Sequence, residues 1–114
     1  YAMCEYRNRT AGRPLIPESI LVKPPSAELR ENQFDTDSLP EYDLLDGILH
    51  AYIEQDCSIA EIVELGYDEE LVKRVVNLVD RAEYKRRQAA IVLRVTSKAF
   101  GSDRRLPVTN KYRS

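Results

Sequence analysis

Five of the six prolines in this chain, Pro14, Pro17, Pro24, Pro25 and Pro40, fall within the first forty residues. Each fixes φ, removes a backbone donor and biases the residue before it toward extended structure. No long helix can cross that stretch, so residues 1–37 are expected to be a loop-rich lead-in. Only short pieces fit between the breaks. Residues 1–9 read as the end of a helix belonging to something upstream. Ile16-Pro17-Glu18-Ser19-Ile20-Leu21 reads as one helical turn with Pro17 near its start.

From Ser38 onward the punctuation favours helices. Ser38-Leu39-Pro40-Glu41 is a capping-box pattern. Leu44, Leu45, Ile48, Leu49, Tyr52 and Ile53 recur behind it at helical spacing, which predicts a helix over 39–55. Ser58-Ile59-Ala60-Glu61 is a second box, opening a short helix over 58–65 that Gly66 stops. Asp68 caps a third helix over 68–88, with Glu69 and Glu70 at the positive end of its dipole. Its buried side is Leu71, Val72, Val75, Val76, Leu78, Val79 and Ala82, and Lys85-Arg86-Arg87 falls in its last turn. Residues 89–114 read as a basic irregular tail with turns at Phe100-Gly101 and Leu106-Pro107. The expected fold is therefore all-α, with about three helices in a helical part at 38–88. Stripes on three short helices need neighbours to cover them, so exposed apolar surface is expected.

Net charge is only −2, but it is unevenly placed. Residues 1–57 hold 5 Lys/Arg against 11 Asp/Glu, whereas 81–114 hold 10 against 2. Such a tail suits an anionic partner or, equally, a solvated basic face. The segment Lys73 to Lys85, behind a short helix and a turn at Gly66, raises a helix-turn-helix DNA reader as a rival reading. Its recognition helix would lead with Asp68, Glu69 and Glu70, which repel phosphate, so no nucleic acid is expected.

Several chemistries lack their residues. The single His50 lies inside the first long helix, away from any nucleophile pattern, and reads as a surface or partly packed side chain. The four glycines are isolated, so there is no Walker or Rossmann loop. Cys4 and Cys57 with one His make no zinc set and read as free cytosolic thiols. No apolar run is long enough for a membrane helix, and no signal peptide is visible. The first residue is Tyr1 and not Met, which suggests a piece of a longer chain. One loop stands out. Lys23-Pro24-Pro25-Ser26-Ala27-Glu28-Leu29-Arg30 holds a hydroxyl and two cations on a stiff backbone, suited to a pyrophosphate or a metal-bound phosphate. From the residues alone, the favoured reading of this loop is a linker that positions the helices.

That loop also carries a resemblance. Residues 23–30, then Gln33, Asp35, Asp37-Ser38-Leu39-Pro40, Tyr42 and Leu45-Asp46, resemble the C-terminal region of the long, glutamine-dependent NAD synthetases. So do Val79-Asp80-Arg81, Glu83-Tyr84-Lys85-Arg86-Arg87-Gln88-Ala89, Ala99-Phe100-Gly101, Asp103-Arg104-Arg105 and Pro107-Val108-Thr109-Asn110. The resemblance implies the C-terminal part of an α/β, adenine-nucleotide-hydrolase-like synthetase domain in a larger cytoplasmic enzyme. That enzyme adenylates deamido-NAD with ATP and Mg²⁺, and glutamine-derived ammonia then displaces AMP. Its Ser-Gly-Gly-x-Asp-Ser ATP loop and its Glu-Lys-Cys glutaminase set are absent here. The resemblance thus implies a segment inactive alone, without its own bound cofactor, whose partners are upstream synthetase and glutaminase domains within a homo-oligomer. It also implies site residues. Ser26 matches a pyrophosphate- and magnesium-proximal hydroxyl of the shorter relatives, with Lys23 beside it. Lys85 matches a lysine that reaches the dinucleotide substrate, and Tyr84 stands where those relatives have a histidine. Ala90-Ile91-Val92 replaces a frequent Pro-Pro-Gly, so the resemblance gives no guide to the path of the tail. From the residues alone, the alternative is a non-catalytic helical interaction module.

Overall fold

The structure is a computed structural model that describes residues 1–26 and 29–109. These residues form helices and turns, with no strand among them. They fall into two compact units, residues 1–39 and 40–114.

In the first unit, α1 (Ala2–Ala11) ends at Gly12, whose φ of 63° is the left-handed conformation a glycine adopts without a Cβ penalty. The Asn8 amide then folds the chain back. Its Nδ2 donates to the Ile16 carbonyl at 2.9 Å, and its Oδ1 accepts from the Ile16 N–H at 2.8 Å. Pro17 caps the single turn α2 (Glu18–Leu21), as its fixed φ predicts. The loop that follows closes on itself. The Asp35 N–H donates to the Pro25 carbonyl at 2.9 Å, and a 3₁₀ turn at Asp35–Asp37 completes the unit.

The second unit holds the core. It comprises α3 (Tyr42–Leu49), a π turn at His50–Glu54, α4 (Ile59–Glu64), α5 (Glu69–Arg81) and α6 (Glu83–Gln88). Ile48, Ile62, Val72, Val75 and Val76 are essentially fully buried, and Leu45, Leu49, Ile59, Leu71 and Phe100 pack around them. Gly47 allows a close approach, because a Cβ there would collide with the Tyr67 hydroxyl. Two of the predicted caps form as expected. The Ser58 hydroxyl accepts from the Glu61 N–H at 3.3 Å while the Glu61 carboxylate accepts from the Ser58 N–H at 2.7 Å. Asp68 accepts from the Leu71 N–H at 2.9 Å. Gly66 closes α4 with a φ of 100°.

Three expectations need correction. The helix predicted over 39–55 starts at Tyr42, with Glu41 at its N-cap and no capping box. Pro40 biases Leu39 toward extended backbone, and Ser38 serves instead as the C-cap of the preceding 3₁₀ turn. The far end of that helix widens into a π turn, in which the Gln55 N–H reaches the His50 carbonyl at 3.2 Å. Ala51, Tyr52 and Ile53 are all buried there, which one face of a regular α-helix cannot achieve. The helix predicted over 68–88 is two helices, with a break at Ala82, where ψ reaches 5°.

Candidate functional site

The sequence singled out four residues, and they divide between the two units. In the first, the Ser26 hydroxyl is half-buried and donates to the Gln33 carbonyl. Lys23 is exposed three residues earlier. The Gln33 side chain also accepts from the Leu29 N–H at 3.0 Å, so one residue braces both sides of the loop. Ala27 and Glu28 of this motif lie outside the described residues, as does Asn110 of the last one.

In the second unit, Tyr84 and Lys85 are neighbours on α6 and both are exposed. Successive helical positions diverge by about 100°, so the two side chains leave the helix on different faces. Tyr84 lines a broad cleft of about 1250 Å³, together with Asp80, Arg81, Lys73, Asn77 and Arg104; Lys85 does not. Among the described residues the Lys85 ammonium has neither an ion pair nor a hydrogen bond.

The cations beside Lys85 are engaged. Glu83, only 3% exposed, accepts from Arg86 Nη2 at 2.9 Å and from Arg87 Nε at 3.2 Å, and Arg105 Nη1 approaches at 3.9 Å. Burial pushes the Glu83 carboxyl up, but the Arg86 and Arg87 hydrogen bonds, the Arg86 charge and the Leu106 N–H outweigh it. The net effect holds the group below the usual carboxylate range. Arg86 also donates to the Val79 carbonyl at 2.8 Å, bridging the break at Ala82, and Arg87 donates to the Leu106 carbonyl at 2.9 Å.

A second cluster lies on α5. The Tyr52 hydroxyl donates to both Asp80 oxygens, at 2.9 and 3.2 Å. Arg104 lies 3.8 Å from the same carboxylate and 4.0 Å above the Tyr52 ring centre. Arg86 sits likewise 4.8 Å from the Phe100 ring centre. Arg86 Nε and Arg104 Nη1 are buried without a hydrogen-bond partner among the described residues. The aromatic faces partly compensate, since a ring face attracts a guanidinium.

These contacts give the basic tail a use that the charge count did not anticipate. Arg86, Arg87, Arg104 and Arg105 pair with the buried Glu83 and with Asp80 inside the same unit. The i,i+3 and i,i+4 spacing of Glu83 with Arg86 and Arg87 was a readable signal. The partners 19 to 24 residues further along were not. His50 is exposed at the start of the π turn, with Nε2 3.4 Å from the Gln55 side-chain nitrogen. No helix among the described residues is long and apolar enough to cross a membrane.

Comparison with known proteins places the chain. Residues 1–89 match the sequence profile of the family described as NAD synthase. The glutamine-dependent NAD(+) synthetase of Acinetobacter baylyi is 52% identical over 99% of this chain, and that of Aquifex aeolicus is 49% identical over 98%. The solved glutamine-dependent NAD+ synthetase of Acinetobacter baumannii, in complex with ADP, superimposes with a TM-score of 0.61 at 45% identity over 96% of this chain. The chain spans about a fifth of the length of these relatives: 21%, 19% and 18% respectively.

Proposed function

The chain belongs to the NAD synthase family, and from that membership we propose that it is the part of a glutamine-dependent NAD synthetase that supplies substrate-binding residues near the end of the synthetase domain. In this reading the whole enzyme is an ATP-dependent ligase. It converts deamido-NAD to NAD with ammonia taken from glutamine. The observation that carries the reading is the match to glutamine-dependent relatives over nearly the whole chain, at 52% identity to the Acinetobacter baylyi enzyme. The ADP complex of the Acinetobacter baumannii enzyme supports nucleotide use by the complete protein.

Lys85 and Tyr84 are proposed to bind deamido-NAD. Supporting this, α6 commits Arg86 and Arg87 to Glu83 and leaves the Lys85 ammonium outside every described ion pair. Its counter-charge is then available to a carboxylate or phosphate of the dinucleotide. Ser26 and Lys23 are proposed to face pyrophosphate oxygens. The Lys23 ammonium suits phosphate, and the Ser26 hydroxyl serves a phosphate oxygen by redirecting to it the proton that it gives to the Gln33 carbonyl. Among the described residues there is no cluster of three His, Cys, Asp or Glu side chains able to hold an ion, so no Mg²⁺ ligand set is drawn from them. The metal is assigned to the remaining polypeptide, and no step through it is derived. The α/β sheet, the cytoplasmic setting and the homo-oligomer belong to the same proposal for the complete enzyme.

The test is Lys85→Ala in the complete enzyme. Loss of a charge-assisted contact of about 1.5–3 kcal/mol raises the KM for deamido-NAD roughly tenfold or more. The KM for ATP changes less, glutamine hydrolysis survives, and Lys85→Arg recovers part of the loss. Unchanged kinetics with deamido-NAD returns Lys85 to a helix-dipole role, worth about 0.3–1 kcal/mol. The 114-residue chain alone is expected to make no NAD from deamido-NAD and ATP with either nitrogen donor, because the ATP loop and the glutaminase residues are not in it.

A further inference from the structure

The six residues of α6, Glu83-Tyr84-Lys85-Arg86-Arg87-Gln88, include no aliphatic side chain, and the buried one is Glu83. A helix of this length is not stable by itself in water and takes its order from what it packs on. In α3, α4 and α5 that order comes from Ile48, Ile62, Val72, Val75 and Val76 in the shared core. α6 sends no apolar residue of its own into that core, and Tyr84 is exposed.

What holds α6 is a guanidinium. The Arg86 side chain, only 12% exposed, spans the break at Ala82. Its Nη1 donates to the Val79 carbonyl on α5 at 2.8 Å, and its Nη2 donates to the Glu83 carboxylate on α6 at 2.9 Å. The Phe100 ring centre lies 4.8 Å from the guanidinium carbon, and Arg87 Nε adds a second bond to Glu83 at 3.2 Å. The Lys85 and Arg86 N–H groups both donate to the Ala82 carbonyl, at 3.0 and 3.3 Å, so the first turn of α6 hangs on the break residue. Apolar contact is non-directional, whereas a forked, charge-assisted pair fixes an angle.

We propose that Arg86 and Glu83 are positioning residues: their pair across the Ala82 break sets the direction of α6 and, through it, the place of the Lys85 ammonium. Lys85 lies between the two in sequence and takes no part in their bonds. Any swing of α6 about Ala82 therefore moves Lys85 with it. A contact to an anionic group is sensitive to such a shift, since an error of about 1 Å at a bound ligand is enough to lose most of its benefit. The proposal rests on the functional reading given above, in which Lys85 meets the dinucleotide.

The test is a double-mutant cycle in the complete enzyme that pairs Arg86→Lys with Lys85→Ala. Arg86→Lys keeps a positive charge beside Glu83 but loses the planar fork that spans Val79 and Glu83. It is expected to raise the KM for deamido-NAD about three- to tenfold, up to the loss caused by Lys85→Ala, with kcat and the KM for ATP little changed. In the Lys85→Ala background the same substitution should alter that KM by less than about twofold, because the group it positions is gone. Equal effects in both backgrounds overturn the proposal. So does an unchanged KM for deamido-NAD, or a loss spread evenly over both substrates, which a purely structural role gives. If Arg86→Lys does not fold, Glu83→Gln, which keeps the shape and an acceptor oxygen, is read in the same cycle with the same expectations. If Lys85→Ala alone leaves the kinetics unchanged, the functional reading of Lys85 falls and the proposal falls with it. An effect of Lys85→Ala beside an inert Arg86→Lys removes the proposal alone.

Discussion

At the buried Glu83 carboxylate, burial and charge act in opposite directions, and charge prevails. The group is anionic because Arg86 and Arg87 reach it from the next turn of its own helix. Removing it leaves the Arg86 guanidinium, only 12% exposed, without a counter-charge. Glu83→Ala is therefore expected to cost about 3 kcal/mol or more, toward the lower end for a broken buried pair because Arg87 and Arg105 are half-exposed. Urea denaturation of the chain measures it. Tyr52→Phe removes only the hydroxyl bonded to Asp80 and should cost about 1–2 kcal/mol. The sequence made Lys85 and Tyr84 visible because they sit in a family motif. It hid the role of Glu83, because a Glu-x-x-Arg-Arg spacing looks the same on a solvated helix as on a buried one.

Among the elements, α4 and α3 form an instructive pair. Both were expected to open on a Ser-x-x-Glu box, yet only Ser58 and Glu61 make it. The difference is Pro40, which stands inside the first box and pushes Leu39 out of helical geometry. Ser58→Ala should cost about 1 kcal/mol, read as a shift of the urea midpoint with an unchanged slope. Ser38→Ala should leave α3 unaffected, since Ser38 caps the 3₁₀ turn and not the helix. The apolar stripes were legible in part: Ile48, Val72, Val75 and Val76 are core as their spacing indicated, but Leu44 and Leu78, assigned to the same stripes, are exposed. The π turn was not. Tyr52 and Ile53 fit the stripe, but the burial of Ala51 beside them comes from its place in the shared core, which no local period encodes.

For the molecule as a whole, the tail contacts share one chemistry. Glu54 is held below its usual range by the Ser97 and Thr96 hydroxyls, Asp103 by the Ala99 N–H, and Glu83 by its arginines. A carboxyl whose folded value is depressed contributes stability that is complete above its unfolded value, near pH 5 and higher. That contribution is lost as pH falls through the depressed values. Melting temperature should therefore drop steeply in acid, and Glu83→Gln should flatten the profile. The path of this tail was closed to sequence reading, because its anchors lie about forty residues away in Glu54 and Asp56. That separation also sets an order of events in time. The contacts among α3, α4 and α5 close shorter stretches of chain and can form within microseconds to milliseconds, whereas the Ser97–Glu54 and Lys98–Asp56 contacts must each close a longer loop. They are expected to be the last step of folding and the first of unfolding. Glu54→Ala is accordingly expected to accelerate unfolding and leave the refolding rate nearly untouched, so the tail governs how long the native state persists and not how quickly it is reached.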